Sequence, residues 1–134
     1  MSKTGFFFVY GTLKEGGHFA KDFDPFRVRS DKANLLGHDL YNLGWFPGIV
    51  PGPGKVIGEL HEYKNPDIVQ KAMDRIEGYT GDPANSLFVR KLVTVTVNET
   101  GEKVTCNAYV FNRDPSGSAK KIDNGVWGLS GTRA

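Results

Sequence analysis

Only one stretch of this chain carries the periodicity of a well-marked helix; most of the regular patterning on either side of it is that of strands and turns. From Asn65 to Gly78, Ile68, Val69, Ala72, Met73 and Ile76 recur at helical spacing, while Gln70, Lys71, Asp74 and Arg75 fall opposite. Asn65 is placed to cap the start, Pro66 occupies the first turn without losing a needed hydrogen bond, and Asp67 complements the N-terminal dipole. Gly78 supplies the permissive residue at the end.

Before the helix, residues 6–10 are continuously apolar or aromatic and run into Gly11, which reads as an interior strand opening into a loop. Residues 14–31 break periodicity and read as loop with one helical turn, and residues 35–43 as a second strand. Residues 44–54 are so rich in Pro and Gly that an ordered, rim-forming loop is expected. Residues 56–63 read as a strand with Val56, Gly58 and Leu60 on one face and Ile57, Glu59 and His61 on the other. After a turn-rich excursion at 80–86, residues 87–97 and 103–111 form a hairpin around Asn98-Glu99-Thr100-Gly101. The tail beyond Pro115 tacks back through Val126-Trp127-Gly128-Leu129. The expected fold is α+β: a small, mixed, strongly curled sheet or barrel with one principal helix and short flanking helical segments, in a single domain over residues 1–134.

A chain of 134 residues can bury roughly two thirds of the surface its unfolded form exposes. A formal charge of +2 implies no nucleic-acid or membrane partner, and Arg27, Arg29, Lys32 and Lys120-Lys121 read as solvated loop faces. One cysteine, Cys106, excludes an intrachain disulfide framework; it alternates with Val104 and Ala108 and reads as a small core residue rather than a nucleophile. His18, His38 and His61 lack the spacing of a metal site, and Gly16-Gly17 lacks the Lys-Ser/Thr of a phosphate loop. The opening apolar run is too short for a membrane span or signal segment, so a cytoplasmic location is the expectation.

Against that background Glu77 stands out. At about 100 degrees per residue it lies beside the apolar arc, one turn after Met73. Burial and the negative end of the helix both raise a carboxylate's pKa, and an acid tuned to roughly 6–7 can serve as a general base near neutrality. The plain alternative is a boundary glutamate at a frayed helix end. Tyr10-Gly11-Thr12-Leu13 offers backbone N–H groups where a strand opens, suited to a carboxylate or a polarised carbonyl, or else is an ordinary strand-to-loop junction. Arg90 lies on the strand face opposite the valines and is either a ligand for a substrate carboxylate or a solvated arginine.

Taken in order, Tyr10-Gly11-Thr12-Leu13, Leu36-Gly37, Phe46-Pro47-Gly48-Ile49-Val50-Pro51, Val56-Ile57-Gly58-Glu59-Leu60, Ile76-Glu77-Gly78-Tyr79, Phe88-Val89-Arg90 and Ala108-Tyr109-Val110-Phe111 resemble the γ-glutamylcyclotransferase-like family, including its γ-glutamylamine cyclotransferase branch. The likeness covers roughly residues 6–113. It implies a small barrel with flanking helices and an enzyme releasing 5-oxoproline and a free amine from a γ-glutamyl compound, a lyase-type cyclisation. It assigns catalysis to Glu77, and substrate binding to Tyr10, Gly11, Thr12 and Leu13; Tyr79, Arg90 and Phe111 are further substrate-binding candidates. No cofactor or metal is expected, the partner is a small γ-glutamyl substrate, and a homodimer is left open. Phe88 and Phe111 depart from the tyrosines frequent in the family, so two hydroxyl contacts are missing, and Tyr79 is a candidate replacement. A noncatalytic small-molecule-binding barrel and a structural or interaction protein are the alternatives.

Overall fold

Five strands close on one another in the computed structural model, which describes residues 5–11, 23–43, 47–82, 84, 86–113, 120–122 and 124–126. In chain order the elements are β1 (Phe6–Val9), a 3-10 turn (Asp24–Phe26), β2 (Arg27–Asn42), β3 (Pro47–Tyr63), α1 (Pro66–Glu77), β4 (Phe88–Val97), β5 (Lys103–Phe111) and β6 (Lys120–Lys121). The hydrogen-bonded order is β3, β1, β5, β4, β2, and β2 returns to β3, so the ring is closed. β1 and β5 run parallel, in register at Phe7 and Asn107, and the other pairings are antiparallel. The α+β barrel with one principal helix expected from the pattern is therefore the fold.

The sequence reading understates β2 and β3. Residues 27–31, expected as loop, and residues 32–34, left without an element, form the first half of β2, and the Pro/Gly-rich stretch from Pro47 onward is strand rather than loop. Each stabilises the other: the ladder runs from Arg27 opposite Tyr63 to Asn42 opposite Pro47. Among the described residues β1 pairs with β3 only at Glu59 to Glu62, and no described strand pairs with the β1-side edge of the segment carrying Pro47, Pro51 and Pro53, where a missing N–H forfeits no described ladder bond. Between Leu36 and His38 the register shifts, with Gly37 at φ 78° taking up the bulge. Opposite it, Gly52 and Gly54 pass over the buried Asp39 carboxylate, where a Cβ would lie 2.1 or 2.2 Å from an oxygen. Lys121 ion-pairs with Asp39 at 3.7 Å as β6 adds to the edge of β2. In the tail, Gly125 accepts a hydrogen bond from the Ile57 N–H; Trp127, Gly128 and Leu129 lie outside the described residues.

Strand alternation divides the apolar residues between two cores. Phe8, Tyr10, Leu35, Ile49, Val56, Leu60, Val95, Cys106 and Val110 fill the barrel interior. Phe7, Val9, Tyr63, Phe88 and Tyr109 point outward and meet Val69 and Met73 of α1, with Phe23 beside them. On the same outer side a buried polar string links Glu59 Oε1 to His61 Nε2 (2.9 Å) and His61 Nδ1 to the Tyr63 hydroxyl (2.7 Å).

Two details of α1 differ from the sequence reading. Asn65 sits at the N-cap in a left-handed conformation (φ 53°) without a side-chain capping bond; its carbonyl accepts from Ile68 and Val69 instead. The buried face is also rotated. Ile68 is 59% exposed, whereas Gln70 is buried and Asp74 reaches the barrel, because polar groups on β4 and β5 await that side of the helix.

At Gly58, β3 passes close to β1. A Cβ there would stand 2.4 Å from the Val9 carbonyl oxygen and 2.9 Å from the Phe8 ring. The expected outcome for Gly58→Ala is a loss of about 1–3 kcal/mol in urea unfolding, the usual range for overpacking a core; unchanged stability would show that the two strands separate freely.

Candidate functional site

β1 delivers Tyr10 to one end of the barrel. Alternation with Phe8 turns its ring inward, 6.3 Å from the Phe8 ring centroid. Its hydroxyl donates to the Tyr109 carbonyl at 2.6 Å and accepts from the Ile49 N–H. The phenol thus ties β1 to β5 and β3 at the point where the strand opens. Gly11 follows, buried; a Cβ on it would lie 2.6 Å from Pro47 Cγ, so only glycine lets the chain pass so close to the start of β3. Thr12 and Leu13 lie outside the described residues.

The last turn of α1 meets this strand end. Gly78 adopts φ 73° and donates to the Arg75 carbonyl, and the Tyr79 N–H donates to the Asp74 carbonyl at 2.8 Å, a Schellman-type termination. Glu77, the final helical residue, is half-buried, and the protein around its carboxylate raises its pKa to about 7 through loss of hydration. Its charge is felt by two phenols. Tyr10 is pushed well above its ordinary value, first by burial and then by Glu77. Tyr109 is also raised, by burial, by Asp74 and to a lesser degree by Glu77. Residues from β1, α1 and β5, far apart in sequence, therefore share one electrostatic environment.

Arg90, a candidate for a substrate carboxylate, is engaged within the protein. Its Nη1 lies 2.6 Å from both oxygens of Asp74, and its guanidinium carbon lies 5.2 Å from the centre of the Tyr79 ring. The Tyr109 hydroxyl donates to the same Asp74 carboxylate at 2.6 Å. Burial acts against the Arg90 charge, but the bonds and charge of Asp74 outweigh it and raise its pKa. Phe111 stands directly opposite Phe88, their ring centroids 5.5 Å apart, and its Cβ packs close to Gly48. Tyr79 is half-buried against the outer core.

The structure thus brings Tyr10, Gly11, Glu77, Tyr79, Arg90 and Phe111 to one end of the barrel and its covering helix. Asp74 and Tyr109 are the members that sequence reasoning missed. The available signal was the helical i, i+3 relation of Asp74 to Glu77, which puts both on one face. Cys106 is fully buried, and loss of hydration pushes its thiol up to about 12, as befits a core residue. Among the described residues no three His, Cys, Asp or Glu side chains converge to hold a metal ion, and no helix is long and apolar enough to cross a membrane. An apolar groove between the 3-10 turn and α1, lined by Phe23, Phe26, Ile68, Ala72 and Ile76, includes neither Glu77 nor Tyr10.

A closed five-stranded barrel with one main helix matches a defined group of proteins. The chain belongs to the γ-glutamyl cyclotransferase, AIG2-like family, whose model matches residues 7–129. It is 32% identical over 107 residues to the γ-L-glutamyl-butirosin B γ-glutamyl cyclotransferase of Niallia circulans, covering 80% of this chain and 67% of that protein. It is 30% identical over 129 residues to the family protein YtfP of Escherichia coli, covering 90% and 93% of the two chains. A solution structure from Arabidopsis thaliana superposes with a TM-score of 0.67 at 27% identity, over 96% of this chain and 72% of that one.

Holding Glu77 in this environment has a cost with a definite pH dependence. Its native pKa of about 7 exceeds the ordinary 4.5, so the folded state binds the proton more tightly. The associated stability is present below about pH 4.5 and is lost as pH rises through about 7. Glu77→Gln should therefore be more stable than the parent at pH 8 by about 2–3 kcal/mol, with most of that difference gone at pH 4. Urea unfolding of both proteins at the two pH values measures it, and a pH-independent difference would mean that Glu77 is well hydrated.

Proposed function

We propose that this protein is a γ-glutamyl cyclotransferase in which Glu77 is the general acid and base. The observation that carries the reading is the position of a carboxylate with a pKa near neutrality beside the strand end at Tyr10 and Gly11. Family membership supports the same class of reaction.

In this mechanism a γ-glutamyl amide folds so that its α-amine faces its own γ-carbonyl carbon. Glu77 removes a proton from the α-ammonium group, and the freed nitrogen lone pair attacks the carbonyl, forming a five-membered ring and a tetrahedral oxyanion. Glu77 then gives its proton to the amide nitrogen, the oxyanion collapses and the carbon–nitrogen bond breaks. The ring nitrogen, still carrying two protons, yields one to the re-ionised Glu77, which passes it to the departing amine, so that 5-oxoproline and an ammonium leave. The attack is intramolecular, so the protein has chiefly to fold the glutamyl chain and supply donors to the oxyanion.

The Tyr10 hydroxyl is already committed to Tyr109 and Ile49, which assigns it to fixing the strand end. Backbone N–H groups at and beyond Gly11, with Thr12 and Leu13, are the groups proposed to hold the glutamyl moiety. Tyr79 and Phe111 are proposed to flank the substrate. Phe88 and Phe111 pack against one another with their rings tilted, giving an apolar wall where the resemblance leads one to expect hydroxyls. The relative from Niallia circulans is named for a γ-glutamyl group carried on butirosin B. A γ-glutamyl group on an amine is accordingly the substrate class proposed, acting without a cofactor, in the cytoplasm and within the single domain expected from the sequence.

The test is release of 5-oxoproline, followed by mass spectrometry, from γ-glutamyl amino acids, γ-glutamyl-ε-lysine and γ-glutamyl alkylamines. The parent should turn over at least one class, with kcat/KM rising to a plateau through a midpoint near pH 7 as Glu77 ionises. Glu77→Gln should bind the same substrate and lose roughly 10²–10⁴-fold in kcat, the contribution typical of positioned proton transfer. Silence from a folded parent across the panel would overturn the assignment, and binding without turnover by the parent would favour a noncatalytic barrel.

A further inference from the structure

We propose that Asp74, Arg90 and Tyr109 are positioning residues that hold the end of α1 so that Glu77 stays aimed at the reacting atoms. The inference rests on the reading of Glu77 as the general acid and base, and it goes beyond it by assigning a role to three residues that need not touch substrate.

The geometry converges on Asp74 from several directions. Its carboxylate takes Arg90 Nη1 at 2.6 Å on both oxygens and the Tyr109 hydroxyl at 2.6 Å, while its backbone carbonyl takes the Tyr79 N–H at 2.8 Å. Arg90 closes the loop by lying over the Tyr79 ring. Arg90 and Tyr109 are directly opposite each other on β4 and β5, so both side chains leave the sheet on one face and reach the same carboxylate. Asp74 and Tyr79 bracket Glu77 on either side in sequence, so the contacts pin the helical turn that carries it.

Two physical demands explain such a clamp. The last turn of a helix lacks four internal acceptor bonds and frays unless it is tied down. Here the last residue of the helix is the proposed base, and a misplacement of about 1 Å can cost on the order of 10² in rate. The second demand is electrostatic. Asp74 and Glu77 are carboxylates three residues apart on one helix, an arrangement that repels unless one is neutralised, and the Arg90 guanidinium neutralises Asp74.

This assignment differs measurably from that of Arg90 as a ligand for a substrate carboxylate. Removing a ligand raises KM, whereas misaiming the base lowers kcat and leaves ground-state binding nearly intact. In the full chain, Asp74→Asn and Tyr109→Phe should each lower kcat roughly 10- to 100-fold while KM stays within about two-fold. Arg90→Gln should follow the same pattern. A second measurement needs no substrate: amide hydrogen exchange by NMR. In Asp74→Asn the Tyr79 N–H should exchange about ten-fold faster, while the amides of Leu60 and Ala108 in the barrel are unchanged.

Unchanged Tyr79 exchange overturns the clamp. Faster exchange with unchanged kcat overturns positioning, and a rise in KM alone returns Arg90 to the substrate. If the parent turns over no γ-glutamyl amide, the cyclotransferase reading fails and positioning for that reaction fails with it, while the exchange result still decides whether the three residues hold the helix end.

Discussion

Closure of the sheet by the long β2–β3 ladder is the constraint from which the other features follow. Without it, β3, β1, β5, β4 and β2 would form an open sheet edged by β3 and β2, and the side chains of Phe8, Tyr10, Val56 and Val95 would have no enclosed interior to share. Once the ring is closed, alternation sends every second residue outward. The outward patch formed by Phe7, Val9, Tyr63, Phe88 and Tyr109 is the surface that α1 covers. The helix thus docks where the barrel presents apolar groups, and its C-terminal end comes to rest beside the end of β1.

That docking sets the chemistry of Glu77. A carboxylate at an exposed helix terminus would ionise in the ordinary range, whereas this one is raised by the protein that replaces its water. The same burial lowers the stability of the fold at neutral and alkaline pH, where the carboxylate must be held ionised. Asp74 lies only one turn away yet has a different environment: it is hydrogen-bonded by Arg90 and Tyr109. Two carboxylates on one helical face are set apart in this way by their partners rather than by their positions in sequence.

Membership of the γ-glutamyl cyclotransferase, AIG2-like family places these features in a wider group, but the chain has its own variations. Phe88 and Phe111 meet ring to ring, which makes the wall beside Gly48 apolar. The prolines and glycines of residues 47–54, which look unsuited to a strand, form the first half of β3 and pass closely over Asp39 and Phe111.

Local sequence determined the helix from Pro66 to Glu77, the hairpin of β4 and β5, the short strand β1 and the inward and outward faces around Gly58, because each depends on periodicity or on turn residues within a few positions. It also brought Glu77 and the Tyr10-Gly11 junction forward as a pair through family likeness. Tertiary structure decided the rest. The first half of β2 and the proline-rich half of β3 become strands only because each supplies the other's hydrogen bonds across the ladder. The face of α1 that is buried was set by Arg90 and Tyr109, which draw Asp74 inward and leave Ile68 exposed, a choice no helical periodicity encodes. Local propensity acts through neighbours along the chain, whereas desolvation of Glu77 and capture of Asp74 depend on groups that only the closed barrel brings near.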